Sequence, residues 1–142
     1  MTERAAATPP AVPRLYRVIL PVGDIERAAA VYAELLGEAG KRVSAGRHYF
    51  DCDGTILACY DSRADGDGPA EPPRYQPAQF LYFSVADLEV THKAAVRLGF
   101  HVQEGGIQAM PWGERMFWAT DPFGNPVSFV AAGTEFLGGE PR

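Results

Sequence analysis

Two stretches of the chain share one pattern of apolar and polar residues. Arg17–Glu26 and Phe80–Glu89 are each a short apolar segment that runs into an aspartate, Asp24 or Asp87. Apolar residues then recur at intervals of three and four, which is typical of an amphipathic helix. Aspartate is favoured before a helix because its carboxylate accepts the free backbone N–H groups of the first turn. Each stretch therefore predicts a strand followed by a helix.

Both predicted helices end at a glycine, Gly37 or Gly99, a residue suited to a helix C-terminus. A short strand is predicted after each helix, around Lys41–Val43 and around His101–Glu104. The rest of each half predicts a strand, a tight turn and a closing strand. In the first half these are Gly46–Phe50, Asp51–Gly54 and Thr55–Tyr60, and in the second Gly113–Phe117, Asp121–Gly124 and Asn125–Val130.

The sequence thus predicts an α+β fold built from two copies of a β-α-β-β-β module, which is an internal repeat. Residues 14–131 form the predicted single domain, with module one at 14–60, a linker loop at 61–78 and module two at 79–131. Pro, Gly and charged residues dominate the linker. Residues 1–13 are predicted to be a flexible arm. Residues 132–142 are a tail in which Phe136 and Leu137 are expected to pack back onto the domain.

Composition excludes several classes of function. The chain has 142 residues and a net charge of −5 without a basic stripe, so we expect no nucleic-acid partner. No apolar run reaches the roughly 18 residues that a membrane span needs. The amino-terminal residues lack the apolar segment of a secretion signal, so we expect a cytoplasmic protein. Cys52 and Cys59 are expected to be reduced, buried thiols.

A longer motif in the second half carries a family resemblance. Trp112–Val130 reads as Trp-Gly, an aromatic strand, Asp-Pro-Phe-Gly-Asn and an apolar strand. With the two Asp-Leu/Ile-Glu helix starts, this order resembles the vicinal oxygen chelate superfamily, also called the glyoxalase/bleomycin-resistance/dioxygenase fold, over Leu15–Ala131. The resemblance implies that each module forms half of a curved, incomplete barrel with its helix on the convex side. It also implies a ligand in the concave groove, and modules that pair within one chain or across a homodimer.

Enzymes of this family bind one divalent cation through His, Gln or Glu on the first and last strands of each module. The matching positions here are Arg17, Ala58, Phe80 and Ser128. Arginine has no lone pair to offer a metal, Ala and Phe have no donor atom, and serine is a weak ligand. The three histidines, His48, His92 and His101, fall elsewhere and are expected to be solvated or hydrogen-bonded. We therefore expect neither a metal nor another cofactor.

Side chains two residues apart share one face of a strand. Phe50 and Phe117 are expected to face the helices, which directs Tyr49, Met116 and Trp118 into the groove. The predicted ligand-binding residues are Arg17, Ile19, Ala58, Tyr60, Phe80, Tyr82, Met116, Trp118 and Ser128. An aromatic cleft with one cation suits a flat or anionic small molecule. The alternative for Arg17 is an internal salt bridge with Glu114 or with an acid of the linker.

Three functions remain open from the sequence. The first is a metal-free protein that binds a small aromatic or anionic molecule, as bleomycin-resistance-like members do. The second is a family enzyme of the lyase, isomerase or dioxygenase type with an atypical or metal-independent site, for which Tyr60, Tyr82, His48 and Glu114 are candidate acids or bases. The third is a dimeric scaffold without a small ligand. The sequence selects no catalytic residue among these candidates.

Overall fold

The computed structural model describes residues 12–68 and 79–137 and contains the predicted module twice. The first module consists of β1 (Arg17–Pro21), α1 (Ile25–Leu36), β2 (Lys41–Ser44), β3 (Arg47–Cys52) and β4 (Thr55–Tyr60). The second consists of β5 (Leu81–Val85), α2 (Leu88–Arg97), β6 (His101–Val102), β7 (Gln108–Ala109), β8 (Arg115–Thr120) and β9 (Pro126–Ala131). The α+β fold class and the repeat are confirmed. The short strand β7 was not predicted, because two residues are too few to show an alternating pattern.

Each module forms its own sheet. The strand order is β1-β4-β3-β2 in the first sheet and β5-β9-β8-β6 in the second, where β7 also pairs with β8. The outer pairs β1–β4 and β5–β9 are parallel, and the other pairs are antiparallel. A parallel pair needs a crossover connection, which the helices supply. The two sheets are thus built alike, with no closed barrel.

Local signals in the sequence place the ends of these elements. The carboxylates of Asp24 and Asp87 accept the backbone N–H groups of Arg27 and Val90, each at 3.1 Å, as predicted for helix caps. Gly37 adopts a left-handed conformation with φ of 69° at the end of α1. The hairpin between β3 and β4 turns through two residues of positive φ, a conformation that Asp-Gly favours.

The core lies between the sheets and the helices and includes residues from both modules. It consists of Leu20, Val22, Ile25, Ala28, Val31, Tyr32, Phe50, Leu57, Cys59, Leu88, Ala95, Phe100, Phe117, Ala119, Val127 and Phe129. Phe50 and Phe117 are fully buried, which confirms that they face the helices. The ring of Phe117 stacks on Phe129 with centroids 5.1 Å apart. The core occupies the helix-facing side of each sheet. The strand residues that alternate with the core residues therefore lie on the opposite face.

A buried polar network joins the two modules. The Tyr32 hydroxyl of α1 donates to Asp121 Oδ2 at 2.7 Å, and Asn125 Nδ2 donates to the Pro21 carbonyl at 2.8 Å. Asp121 also accepts from the backbone N–H groups of Phe123 and Asn125. Burial, with the charge of Asp121 beside it, raises the pKa of Tyr32 well above its usual value, so the phenol stays a donor. The Asp121 turn thereby fixes the end of β1.

The prediction of two buried thiols is right for Cys59 and only partly right for Cys52. Neither forms a disulfide: Cys59 is buried and Cys52 is half-buried. Burial raises the pKa of Cys59 to about 12, with the charge of Asp121 adding to the effect. At neutral pH this thiol therefore stays protonated and unreactive, because the thiolate is the nucleophilic form.

The first part of the predicted linker is packed against module one. Asp61 and Ser62 are buried, and Asp65 accepts from Ser44 Oγ at 2.8 Å and pairs with Arg47. A Cβ at Gly46 would lie 2.2 Å from the Asp61 carbonyl, so this approach requires glycine there. Over residues 61–68 the expected linker or mobile loop is thus part of the domain.

Some predictions fall on residues that the structure does not describe. These are most of the arm (1–11), the second part of the linker (69–78) and the end of the tail (138–142). In the described part of the tail, the backbone N–H of Phe136 donates to Glu114 Oε2 at 3.0 Å, whereas Leu137 is exposed. Neither α1 nor α2 has the length and apolar character of a membrane-spanning helix.

Candidate functional site

The predicted site residues of module one lie on the sheet face that points away from the core. In the strand register Ile19 is opposite Ala58, and Ala58 is opposite Tyr49. Arg17 and Tyr60 share this face because each lies two residues from a member of the group. Ala58 is fully buried, whereas Ile19 is half exposed. The structure therefore brings the four predicted residues of module one onto one surface together with Tyr49, which was predicted to face the groove.

Arg17 is the only one of these side chains that carries a charge, and two tyrosines hold it. Its guanidinium donates to Tyr49 Oη and to Tyr16 Oη, each at 3.0 Å. The Cζ atom lies 5.2 Å from the ring centroid of Tyr16 and 5.5 Å from that of Tyr49, within the range of a cation–π contact. The two hydroxyl acceptors raise the pKa of Arg17. The side chain is thus a fixed cation at an exposed position.

The salt bridge considered for Arg17 is not formed with Glu114. That carboxylate instead accepts from Trp112 Nε1 at 2.8 Å and from the backbone N–H of Phe136. Among the acids of residues 61–68, Asp65 and Asp67 pair with Arg47, and Asp61 accepts from the backbone N–H of Ala64. Within the part of the chain that the structure describes, Arg17 has no carboxylate partner. Its positive charge is therefore not neutralised there.

Tyr60 lies at the other end of this face in a different environment. Its hydroxyl donates to Asp67 Oδ2 at 2.8 Å, and the guanidinium of Arg47 lies over its ring at 4.4 Å from the centroid. The hydrogen bond to Asp67 raises the pKa of Tyr60. The arginine here is compensated by two carboxylates, in contrast to Arg17. This end of the face therefore carries a net negative charge and is already hydrogen-bonded.

The predicted site residues of module two lie on the equivalent face of the second sheet. Ser128 stands between Tyr82 on β5 and Trp118 on β8 in the register. Trp118 Nε1 approaches Tyr82 Oη at 3.4 Å, and Tyr82 is 55% exposed. Met116 lies further along β8 and is fully buried. Phe80 immediately precedes β5 and is partly exposed. The result is an aromatic surface with the small Ser128 beneath it.

One polar atom on this surface lacks a partner. Ser128 Oγ is buried and makes no hydrogen bond within the described residues. A buried hydroxyl without a partner costs about 1–3 kcal/mol. No hydrogen bond, ion pair or ring contact recorded for residues 12–68 and 79–137 joins this surface to the one around Arg17. The nine predicted residues thus form two separate groups, one on each module.

The residues at the family's metal-ligand positions do not suit a divalent cation. Arg17 is positively charged and donates both of its hydrogen bonds, so it would repel a metal. Ala58 has no donor atom, and Ser128 is covered. Among the residues that the structure describes, no group of three His, Cys, Asp or Glu side chains is arranged to hold a metal ion. The donor set at these positions therefore does not fit the family's metal.

The candidate acid–base residues are not brought together. His48 Nε2 contacts the Ala39 carbonyl at 3.0 Å, and its ring packs on Phe50, on the helix side of the sheet. Glu114 is held by Trp112, and Tyr60 by Asp67. His92 packs edge-on against Phe117. These contacts match the expectation of structurally engaged histidines and place no acid–base pair on either surface.

Sequence reasoning missed one member of the Arg17 group. Tyr16 precedes β1, so strand alternation assigns it no face, and its contact with Arg17 depends on the side-chain torsions. Its position next to Arg17 in the sequence does not by itself predict a contact between the two side chains. Tyr49 was predicted on this face from the burial of Phe50, and the register confirms that placement.

Comparisons with known proteins agree with this architecture. Residues 14–129 match the model of the Glyoxalase/Bleomycin resistance protein/Dioxygenase superfamily. A glyoxalase-related enzyme from Fulvimarina pelagi superposes with a TM-score of 0.71 at 18% identity, covering 92% of this chain and 96% of that one. A glyoxalase/bleomycin resistance protein/dioxygenase family enzyme from Burkholderia phytofirmans PsJN gives 0.69 at 13% identity, covering 84% and 98%.

A third structure is similar over nearly the same range. Lactoylglutathione lyase from Agrobacterium tumefaciens superposes with a TM-score of 0.64 at 18% identity, covering 88% of this chain and 96% of that one. No curated protein matches the sequence. At such identities the superpositions establish the fold, whereas the activity has to be argued from the residues on the two surfaces.

Proposed function

Since the chain belongs to the Glyoxalase/Bleomycin resistance protein/Dioxygenase superfamily, we propose that it binds a small aromatic anion at Arg17 without the family's metal. The observation that carries this proposal is the exposed guanidinium held by Tyr16 and Tyr49 and left without a carboxylate partner in the described structure. A planar guanidinium presents several N–H donors in a fork that matches a carboxylate or phosphate. Arg17 uses part of that fork for the tyrosines, which leaves the rest for a ligand.

The two tyrosines add donors to the same place. Each hydroxyl oxygen accepts from Arg17, so its own hydrogen has to point elsewhere. An anion beside Arg17 would meet these two O–H groups in addition to the guanidinium. Donors converging from three side chains favour a negative charge and disfavour a cation. This arrangement supports a negatively charged ligand.

The aromatic part of the ligand follows from the surroundings. Ile19 and the rings of Tyr16 and Tyr49 supply exposed apolar area beside the charge. Pockets for organic ligands commonly combine such area with a few polar groups that set orientation. The alternative of a family enzyme has less support. His48, Tyr60 and Glu114 are engaged elsewhere, and the exposed Tyr82 contacts Trp118 rather than a second acid or base.

The proposal is tested with a matched pair of ligands. We expect 2-naphthoate to bind the EDTA-treated protein at least about 10-fold more tightly than 2-naphthamide, which has the same ring and no charge. Isothermal titration calorimetry measures both, and NMR shift changes place the ligand at Arg17 or elsewhere. Equal affinities, or binding of naphthoate that depends on added Mn²⁺ or Ni²⁺, would contradict the proposal.

We further propose that the protein is a homodimer in which a second copy covers these surfaces. Tyr16, Ile19 and Tyr82 are each more than half exposed in the single chain. Exposed apolar side chains at this density are typical of an interaction surface. A partner that places its module-two face against the module-one face would enclose a ligand between Arg17 and the aromatic surface.

A lysine at Tyr82 should weaken such a dimer. Tyr82→Lys is expected to raise the dissociation constant of the dimer about 10-fold or more, because a buried aromatic contact becomes a desolvated charge. Val96→Lys on α2 is the control, since Val96 is also 55% exposed but lies on a helix. Sedimentation equilibrium measures both. A wild-type protein that is monomeric at high concentration would refute this part of the proposal.

A further inference from the structure

A large groove lies apart from the Arg17 surface and borders the module-two surface, with which it shares Phe80 and Tyr82. Its volume is about 1140 Å³, and it runs between β5 and the end of module one where α1 stops and the β3–β4 hairpin turns. The residues of the Arg17 surface do not line it, nor do Trp118 and Ser128. The groove therefore lies at the junction between the modules and contains none of the side chains around Arg17.

The two module junctions differ in their hydrogen bonds, and the groove lies at the second of them. At the first junction the Asp121 turn reaches β1, where Asn125 bonds the Pro21 carbonyl. At the second, the corresponding Asp51–Gly54 turn makes no recorded hydrogen bond to β5 within the described residues, and its Asp51 carboxylate bonds Gly54 of the same turn at 2.7 Å. This second turn lines the groove through Asp51, Cys52 and Asp53.

The walls of the groove are mostly apolar and come from both modules. Leu35, Leu36, Val18 and Leu57 supply one side, and Leu81, Phe83, Val85, Val90 and Phe129 the other. Phe83 stacks on Phe129 with centroids 5.4 Å apart, so this wall includes a packed aromatic pair. Val90 is 61% exposed at the rim. A groove of this size and lining has room for a drug-sized organic molecule.

The charges around these apolar walls are of one sign. Glu38, Asp51, Asp53 and Asp87 line the groove, and no Lys, Arg or His is among its described lining residues. None of these four carboxylates takes part in an ion pair within residues 12–68 and 79–137. Glu38, Asp51 and Asp87 accept hydrogen bonds from backbone N–H groups, which leave the negative charge in place. A ligand in the groove therefore experiences an acidic surrounding.

The amino end of α2, which also lines the groove, does not reverse this sign. A helix N-terminus by itself favours an anion. Here the Asp87 carboxylate accepts a hydrogen bond from the backbone N–H of Val90. The backbone carbonyl of Asp87 accepts one from the Thr91 hydroxyl. A full negative charge thus stands at the end of the helix and outweighs the partial positive charge of the helix.

We propose that this groove binds an amphipathic organic cation, with an apolar or aromatic body against the walls and an amine toward the acidic rim. The rings of Phe80, Tyr82 and Phe83 line the same space and are able to contact a cation through their faces. The charge of this ligand is opposite to that of the ligand assigned to Arg17. The two sites are therefore separable by experiment.

The probe is 4-phenylbutylamine, compared with 4-phenylbutan-1-ol, which keeps the body and removes the charge. We expect the amine to bind at least about 5-fold more tightly, and its affinity to fall as salt rises, because the carboxylates are screened. Calorimetry gives the affinities, and NMR shift changes are expected at Leu81, Phe83 and Val90. An alcohol that binds as tightly as the amine would overturn the proposal.

Matched variants localise the charge effect. Val90→Lys places a cation at the rim and should weaken binding of the amine about 5-fold or more. Val96→Lys on the same helix should leave it within about 2-fold, because Val96 does not line the groove. The double variant Glu38→Gln/Asp53→Asn should also weaken binding of the amine about 3-fold or more. Glu104→Gln, at a residue that does not line the groove, is the control. Asparagine tolerates the positive φ of residue 53.

An apolar groove can also be covered by a second copy of the chain, and the same variants distinguish that occupant from an organic cation. Sedimentation equilibrium of wild type and of Val90→Lys shows whether the groove is an interface between copies. If Val90→Lys dissociates a dimer that Val96→Lys leaves intact, the groove is a protein contact and the cation proposal is wrong. Equal loss of amine binding in both lysine variants would also refute it.

Discussion

Asp121→Ala is expected to lower the free energy of unfolding by about 3–5 kcal/mol. The carboxylate is buried and accepts from the Tyr32 hydroxyl, from the backbone N–H groups of Phe123 and Asn125, and from Asn125 Nδ2. Alanine removes the acceptor and leaves these donors without a partner in a site that water does not reach. The substitution destabilises both modules, because each of them supplies hydrogen-bond donors to Asp121.

Urea unfolding of three variants separates this network from an ordinary turn. Asp51→Ala is the matched control, since Asp51 stands in the equivalent turn but is exposed and, among the described residues, accepts a hydrogen bond from Gly54 alone. We expect it to cost about 1 kcal/mol or less. Tyr32→Phe removes one hydrogen bond and keeps the ring, which predicts an intermediate loss of about 1–2 kcal/mol. Similar values for Asp121→Ala and Asp51→Ala would show that the network does not join the modules.

This network also marks the limit of what the sequence predicts. Apolar periodicity, the two helix-capping aspartates and the Asp53–Gly54 turn are local signals, and they predicted the repeated module. The contact between Tyr32 and Asp121 joins residues 89 positions apart, and no local pattern encodes it. The sequence motif showed Asp121 as a turn residue. Only the packing of one module on the other shows that it is an inter-module acceptor.

The site illustrates the same division. Alternation along strands correctly assigned Phe50 and Phe117 to the core, and hence Tyr49 and Trp118 to the opposite faces. It did not predict that Arg17 would be held by tyrosine hydroxyls instead of a carboxylate, because hydrogen-bond partners depend on side-chain torsions and strand register. The first part of the linker was also missed, since the buried Asp61 and its neighbours look like an ordinary polar loop in the sequence.

Arg17→Gln is expected to weaken binding of 2-naphthoate about 30-fold or more, while binding of 2-naphthamide changes about 3-fold or less. Glutamine keeps polarity and removes the positive charge, so the neutral ligand loses only hydrogen bonds. Arg97→Gln is the control for net charge, because Arg97 is an exposed arginine that pairs with Glu34 on the helices. Calorimetry measures the affinity of both ligands for Arg17→Gln, Arg97→Gln and the wild type. The difference between the affinity losses of naphthoate and naphthamide gives the contribution of the ligand's charge. Equal losses for both ligands would contradict a charge-specific role.

The geometry of the guanidinium predicts a further step in the same series. Arg17→Lys preserves the charge but replaces a planar fork with a single ammonium, which cannot bond Tyr16 and Tyr49 and still present a flat edge to a carboxylate. We expect it to recover only part of the affinity lost in Arg17→Gln. Tyr49→Phe removes one acceptor that positions the fork and should weaken naphthoate about 2–5-fold. Full recovery by lysine would mean that Arg17 acts as a point charge, and that the two tyrosines do not set its orientation.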